Sequence, residues 1–166
     1  MRWERLFAEI EASVHDEEAW ERDALADELT DGEWAETSAR DLVWGEVDLD
    51  VASVGWVGGR VVRSTPEVVV VSSGGRDTVV AWSAVAGWRG GSGRAPELGE
   101  VERRLGWTRV ARTFRDEGVT VRCHLRGGSL VDGVMETVAA DALALRSDVG
   151  VRWIRLAALV AVRELD

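Results

Sequence analysis

Cys123 and His124 are neighbours in the chain, and a thiol beside an imidazole is the pairing that a nucleophile and its base would need. They stand in the run Thr-Val-Arg-Cys-His-Leu, which alternates as a strand does, and successive strand side chains point to opposite faces. Cys123 then continues the inward set of Val121 and Leu125, while His124 points out with Arg122 and Arg126. The spacing predicts a buried, inert thiol and a solvent-facing imidazole rather than a dyad. His15 is isolated among carboxylates, and two histidines with one cysteine so far apart give no metal-ligand spacing. Gly90-Gly91-Ser92-Gly93 is followed by Arg-Ala-Pro, not by Lys-Ser or by a helix start after a strand, so it reads as linker and not as a phosphate loop. No nucleophile, base and orienter come together, and the expectation is a protein that is not an enzyme and carries no cofactor or metal.

The strongest charged feature is the run from Arg103 to Arg126. It holds Arg103, Arg104, Arg109, Arg112, Arg115, Arg122 and Arg126 against Asp116 and Glu117 alone, a local balance of +5. Such a run can contact phosphate, and it can equally receive an acidic partner. Within it, Leu105-Gly106-Trp107-Thr108-Arg109 followed by Val110, Ala111 and Phe114 has the form of a turn and recognition helix. The helix that should precede such a turn has only about seven residues available after Pro96. DNA recognition is therefore the weaker use of this segment.

The elements that would position these residues follow from periodicity. Trp3, Leu6, Phe7, Ile10 and Val14 fall on one stripe of an amphipathic helix, and a helical pattern runs on from Asp16 to about Trp44, with Thr30-Asp31-Gly32 as a break. Past Trp44 the period becomes two, with Val47, Leu49 and Val51 alternating with Asp48, Asp50 and Ala52. Gly58-Gly59, Pro66-Glu67 and Gly74-Gly75 then punctuate β-rich runs at the rhythm of a small antiparallel barrel. Residues 98 to 114 read as helical again, and period two returns from Val119.

Residues 47 to 88 recur at 121 to 162 without a gap, an offset of 74. Val47, Leu49 and Val51 fall on Val121, Cys123 and Leu125; Gly59 falls on Gly133, and Glu67 on Asp141. A glycine inside each second strand lets it bend sharply enough to serve both halves of a small barrel, which assigns Gly59 and Gly133 a structural role. Trp56, Trp82 and Trp88 fall on Leu130, Leu156 and Val162, which predicts tryptophans that serve as core.

The second stretch, Val119-x-Val121-x-x-x-Leu125-x-x-Gly128-x-x-Val131-x-Gly133-x-Met135-x-x-Val138, resembles the Sm-like and SH3-like small barrels over residues 97 to 166, and residues 33 to 90 resemble them more weakly. The whole chain is similar to a family of actinobacterial proteins that open with Met-Arg-Trp, carry two such stretches and are sometimes labelled Fis-like regulators. The Sm resemblance implies self-association through strand edges and, in its best-known members, binding of single-stranded RNA. RNA-binding members place an Asp then an Asn between the second and third strands, and an Arg-Gly or Lys-His pair between the fourth and fifth. Here those loops read Thr137-Val138-Ala139-Ala140-Asp141 and Leu156-Ala157-Ala158-Leu159, with Ser64-Thr65-Pro66-Glu67 and Trp82-Ser83-Ala84-Val85 in the first copy. They carry no amide and no cation.

Composition sets the outer bounds. The chain has 166 residues, 46% apolar and 30% charged, which is globular. Its uncharged runs are too short to span a bilayer, its opening residues form no signal peptide, and one cysteine makes no internal disulfide, so a soluble cytoplasmic protein without membrane contact is expected. The net charge of −10 is uneven. Residues 1 to 50 hold 17 carboxylates against 4 Arg, a balance of −13. The sequence therefore predicts an α+β, mainly β chain: an acidic helical arm (1–45), a first five-stranded barrel (46–90), a Gly-rich linker (91–96), and a helix with a second barrel (97–166). Its expected role is that of an interaction or scaffold protein. Self-association or pairing with another protein would use the barrel edges and the Trp3, Leu6, Phe7 and Ile10 helix face. Nucleic acid on the arginine-rich run is the second reading.

Overall fold

The computed structural model describes residues 31–91 and 94–165, so the Trp3 to Val14 stripe and the helical pattern up to Thr30 lie outside the described residues. The chain divides into two compact units, Met1–Ser38 and Ala39–Asp166. In the first, residues 31 to 36 are helical, so Asp31 and Gly32 belong to a helix, while Thr30 of the expected break lies outside the described residues. This helix ends at Thr37, where the hydroxyl donates to the Glu33 carbonyl at 2.8 Å and the backbone N–H turns to Trp34.

The second unit is mainly β. A single turn of helix, α1 (Ala39–Leu42), leads into β1 (Gly45–Val51), β2 (Gly55–Ser64), β3 (Val68–Ser73), β4 (Arg76–Ala81), a 3-10 turn (Trp82–Ala84) and β5 (Val85–Gly90). Two helices follow, α2 (Glu100–Arg103) and α3 (Trp107–Glu117), then β6 (Thr120–Leu125), β7 (Leu130–Val138), β8 (Ala142–Ser147), β9 (Gly150–Arg155), a second 3-10 turn (Leu156–Ala158) and β10 (Leu159–Glu164). The helical stretch expected over residues 98 to 114 is thus two helices. Gly106, extended at φ −122°, separates them and stands as the N-cap of α3.

All ten strands join one antiparallel sheet in the order β5-β1-β2-β3-β4-β10-β6-β7-β8-β9. Each half has the same internal order, and pairings recur at the 74-residue offset. Val47 faces Gly59 as Val121 faces Gly133, and Leu49 faces Trp88 as Cys123 faces Val162. The bulge between Val61 and Arg63 returns between Met135 and Thr137. These bulges increase local twist and bend the second strand of each half.

The two strand glycines have a packing reason. A side-chain carbon at Gly59 would lie 2.5 Å from the Ser72 carbonyl oxygen, and one at Gly133 would collide with the Arg146 carbonyl. In each half the paired neighbour strand, β3 or β8, therefore lies closer to the glycine than any side chain allows. Gly59 also takes φ +152°, where L-residues are strained.

Core burial follows the strand period. Val47, Leu49 and Val51 are buried in the first half, with Val121, Cys123 and Leu125 in the second. Valine dominates because its branched side chain fits a pleated, half-buried surface. α3 buries Trp107, Ala111 and Phe114 at helical spacing and packs on β7, and Gly118 closes it in the left-handed conformation at φ +66°. Of the tryptophans expected in the core, Trp82 and Trp88 are half-buried and pack against it, whereas Trp56 is exposed. Among the described residues Trp107 alone is buried; Trp44, Trp82 and Trp88 are half-buried, and Trp34, Trp56 and Trp153 are exposed. Trp56 stands at the start of β2 with the Arg89 guanidinium over its ring, and Trp153 stands on β9, the last strand of the sheet.

Among the described residues no helix is long and apolar enough to cross a membrane.

Candidate interaction surfaces

The two halves meet where β4 pairs with β10: Thr78, Val79 and Val80 face Arg163, Val162 and Ala161. At this junction the chain has set the fourth strand of one repeat against the fifth strand of the other. Val79 is 4% exposed there, and Val160, Ala161 and Val162 are buried.

Two further links tie the halves together, one of them prepared by Thr65. The Thr65 hydroxyl accepts the backbone N–H groups of Glu67 and Val68 at 3.3 and 3.1 Å, which closes the β2–β3 loop and fixes where Glu67 stands. Glu67 in turn accepts the backbone N–H of Trp107 at 3.3 Å. Gly106, the N-cap, has no side chain to do this, and any side chain there would meet the Glu67 carboxylate. A carboxylate at a helix N-terminus satisfies an orphan donor and complements the helix dipole. Arg126, in the turn after β6, donates to the Ala157 carbonyl at 2.9 Å and to the Ser83 hydroxyl at 2.7 Å, linking the two 3-10 turns.

A groove runs between α2–α3 and strands β2 to β4, with Val62, Val70, Val101, Leu105 and Val110 in its walls and Arg109 and Glu117 at its rim. Asp77, Val79 and Glu164 also line it, so α3 covers the junction from this side.

The ends of the sheet look different. β5 and β9 each have one strand partner among the described residues. On β9, Val151 and Trp153 are exposed on one face, with Val149 92% exposed in the turn before them. On β5, Ala86 is exposed and Gly87 and Trp88 are half-buried, whereas the same positions of β10 are fully buried.

The arginine run is dispersed. Arg104 pairs with Glu100 at 3.1 Å, Arg115 with Asp116 at 2.7 Å, and Arg122 holds Asp132 in a two-pronged contact at 2.7 and 2.8 Å. Arg126 is spent on the junction. Arg103, Arg109 and Arg112 are exposed on α2 and α3 and have no ion-pair partner among the described residues. Sequence adjacency overstated the patch because Glu100 and Asp132, outside the counted segment, come back to neutralise it.

Cys123 is fully buried, and burial pushes its thiol up to about 12, so the thiolate a nucleophile needs is suppressed. His124 lies on the opposite face of β6 but is half-buried rather than solvent-facing, and its Nδ1 is sealed without a hydrogen-bond partner in the structure. Desolvation, then the nearby cations Arg163 and Arg122, hold its imidazole below the usual range, with Asp132 opposing them. Among the described residues no group of three or more His, Cys, Asp or Glu could hold a metal ion.

What sequence reasoning missed is the junction itself: Glu67, Ser83 and Arg126 carry no local motif. The edge was partly visible, since Val149, Val151 and Trp153 alternate in Val-Gly-Val-Arg-Trp, but nothing there says that the strand is last in its sheet. Comparison with protein-family models and with curated proteins finds no match to this chain.

Proposed function

We propose that this chain is a non-enzymatic interaction protein built from two small barrels of the Sm-like or SH3-like kind, which holds other chains through the free edges of strands β5 and β9. The observation that carries the reading is that the same two strand positions, in the middle of the sheet, already pair with one another as β4 and β10. An edge strand presents a row of unpaired backbone donors and acceptors, and proteins that stay monomeric blunt such edges with charge or cover. β9 carries the charges Arg152 and Arg155, yet it also exposes Val151 and Trp153 beside them. The strand order common to both halves, with the repeated bulges and close approaches in β2 and β7 at Gly59 and Gly133, favours two curled barrels within the one sheet. The absence of enzymatic activity belongs to the same reading, which the buried Cys123 supports.

A photo-crosslinking phenylalanine analogue in place of Val151, activated in cells producing the full chain, tests this. The expected product is a protein adduct at the β9 edge. Adducts with nucleic acid alone, or none, would overturn the reading. The second reading, a nucleic-acid-binding regulator, rests on Arg103, Arg109 and Arg112, which salt-dependent retention on RNA or DNA measures directly.

A further inference from the structure

We propose that the groove between α2–α3 and strands β2 to β4 is a docking site for a short amphipathic segment of another protein, basic at one end, acidic at the other and apolar between. This surface is separate from the free edges of β5 and β9.

The floor and walls of the groove are apolar. Val70, Val79, Val110 and Phe114 line it, with Val62 on β2 and Val101 on α2, which are 47% and 78% exposed. Its volume of about 780 Å³ takes several apolar side chains at once.

Charge is sorted along the same groove. Arg109, Thr113 and Glu117 line it from successive turns of α3, and eight residues of helix rise about 12 Å. The cationic end is the N-terminal end of α3. There Thr65, which holds the loop that caps the helix, also lines the groove, as does Arg63 two residues before it. At the other end Glu117 is joined by Glu164 and Asp77. Glu164 faces Val121, near the start of β6, which follows directly on the end of α3. Asp77 and Glu164 each come one step past Thr78 and Arg163, the last pair of the junction. The C-terminus of α3 adds its own partial negative charge at that end. Arg63, Arg109, Asp77, Glu117 and Glu164 have no ion-pair partner among the described residues.

This sorting selects the occupant. A nucleic acid or an anionic lipid surface would bring phosphate against three carboxylates, and close like charges repel. Among the described residues no group of carboxylates could hold a metal ion either. A guanidinium or ammonium group on a protein segment meets Asp77, Glu117 and Glu164, while a carboxylate about 12 Å away on the same segment meets Arg109 and Arg63. In a helical segment those charges stand about eight residues apart, and apolar side chains at i, i+3, i+4 and i+7 between them cover Val62 and Val101.

Synthetic peptides of about 15 residues give the first measurement, by fluorescence anisotropy on titration with the full chain. All share leucines at i, i+3, i+4 and i+7; one has Lys at one end and Glu at the other, one has Lys at both ends and one Glu at both. The two-signed peptide is expected to bind about tenfold or more tighter than either of the others. Glu117→Lys, folded by circular dichroism, should cut its advantage over the Glu peptide by about tenfold, and Val101→Asp should weaken all three by about as much. Equal affinity of the three peptides, no binding, or binding that ignores both substitutions would overturn the proposal. The second measurement places a photo-crosslinking phenylalanine analogue at Val101 in cells producing the full chain and maps the adduct by mass spectrometry. A segment of a different protein with this charge pattern is the expected product. An adduct within residues 1 to 30 would give the groove to the chain's own Trp3, Leu6, Phe7 and Ile10 stripe, and one elsewhere in this sequence would give it to a second copy. Either result overturns a foreign partner, as does an adduct with nucleic acid alone or none. The Val151 photoadduct reports on the β9 edge separately, so failure here leaves the strand-edge reading standing.

Discussion

The carboxylate of Glu67 accepts the backbone N–H of Trp107 at 3.3 Å, so the helix before the second repeat is capped by a loop of the first. Gly106 at the N-cap has no side chain to offer, and Thr65 holds the loop that brings Glu67 within reach. Glu67→Ala should cost about 1 kcal/mol in urea unfolding, the usual worth of a cap, and Glu67→Gln, which keeps an acceptor but loses the charge, should cost less. Equal stability of Glu67→Ala and the parent would mean that the contact contributes nothing.

Gly59 and Gly133 should tolerate no side chain. Gly59→Ala and Gly133→Ala each drive a methyl onto a carbonyl oxygen of the facing strand, so each should cost about 1–3 kcal/mol or more. Gly87→Ala has open space around it and an ordinary backbone angle, and should stay within about 0.5 kcal/mol. Thermal unfolding of the three variants separates a required close approach from a general cost of losing glycine.

The contrast between these two predictions shows what the sequence made legible. The glycines could be found because the repeat is written in local spacing: valines at alternate positions, a glycine in each second strand and an acidic residue at each following turn, all displaced by 74. Glu67 was found as a turn residue, but its bond to Trp107 crosses 40 residues and leaves no trace in either neighbourhood. The tryptophans misled for a related reason. Alternation says that Trp153 and Ile154 point to opposite faces, not which face a neighbouring strand or helix will cover; Ile154 is buried and Trp153 is not. That depends on β9 being last in the sheet, a property of the whole topology.

Stability should fall as pH drops through the histidine range. Burial and the cations Arg163 and Arg122 hold the folded pKa of His124 below its unfolded value near 6.5, against the weaker pull of Asp132. The unfolded chain therefore takes up its proton first as pH falls. The stabilisation is fully present above that value and is lost progressively down to the folded pKa. His124→Gln should flatten the urea-unfolding midpoint between about pH 7 and pH 5. Its imidazole signal in NMR should titrate below the usual range, and titration at or above that range would refute the depressed value.

The arginine run gives the last prediction, because the number of free guanidinium groups sets a measurable slope. Arg104, Arg115 and Arg122 have carboxylate partners and Arg126 is held by Ala157 and Ser83, which leaves Arg103, Arg109 and Arg112 as those with no ion pair to break among the described residues when they meet phosphate. Binding to duplex DNA changes in log affinity with log salt by about −0.9 for each phosphate neutralised, so three arginines give a slope of about −3 and all seven about −6. Any duplex binding by the full chain should show the shallower value, and Arg109→Ala with Arg112→Ala should bring it to about −1. Arg126→Ala should leave the slope unchanged while lowering unfolding stability, since its work is at the junction. A slope near −6 that fell on removing Arg126 would instead mean that the arginines leave their partners for phosphate, and the nucleic-acid reading would displace the interaction protein.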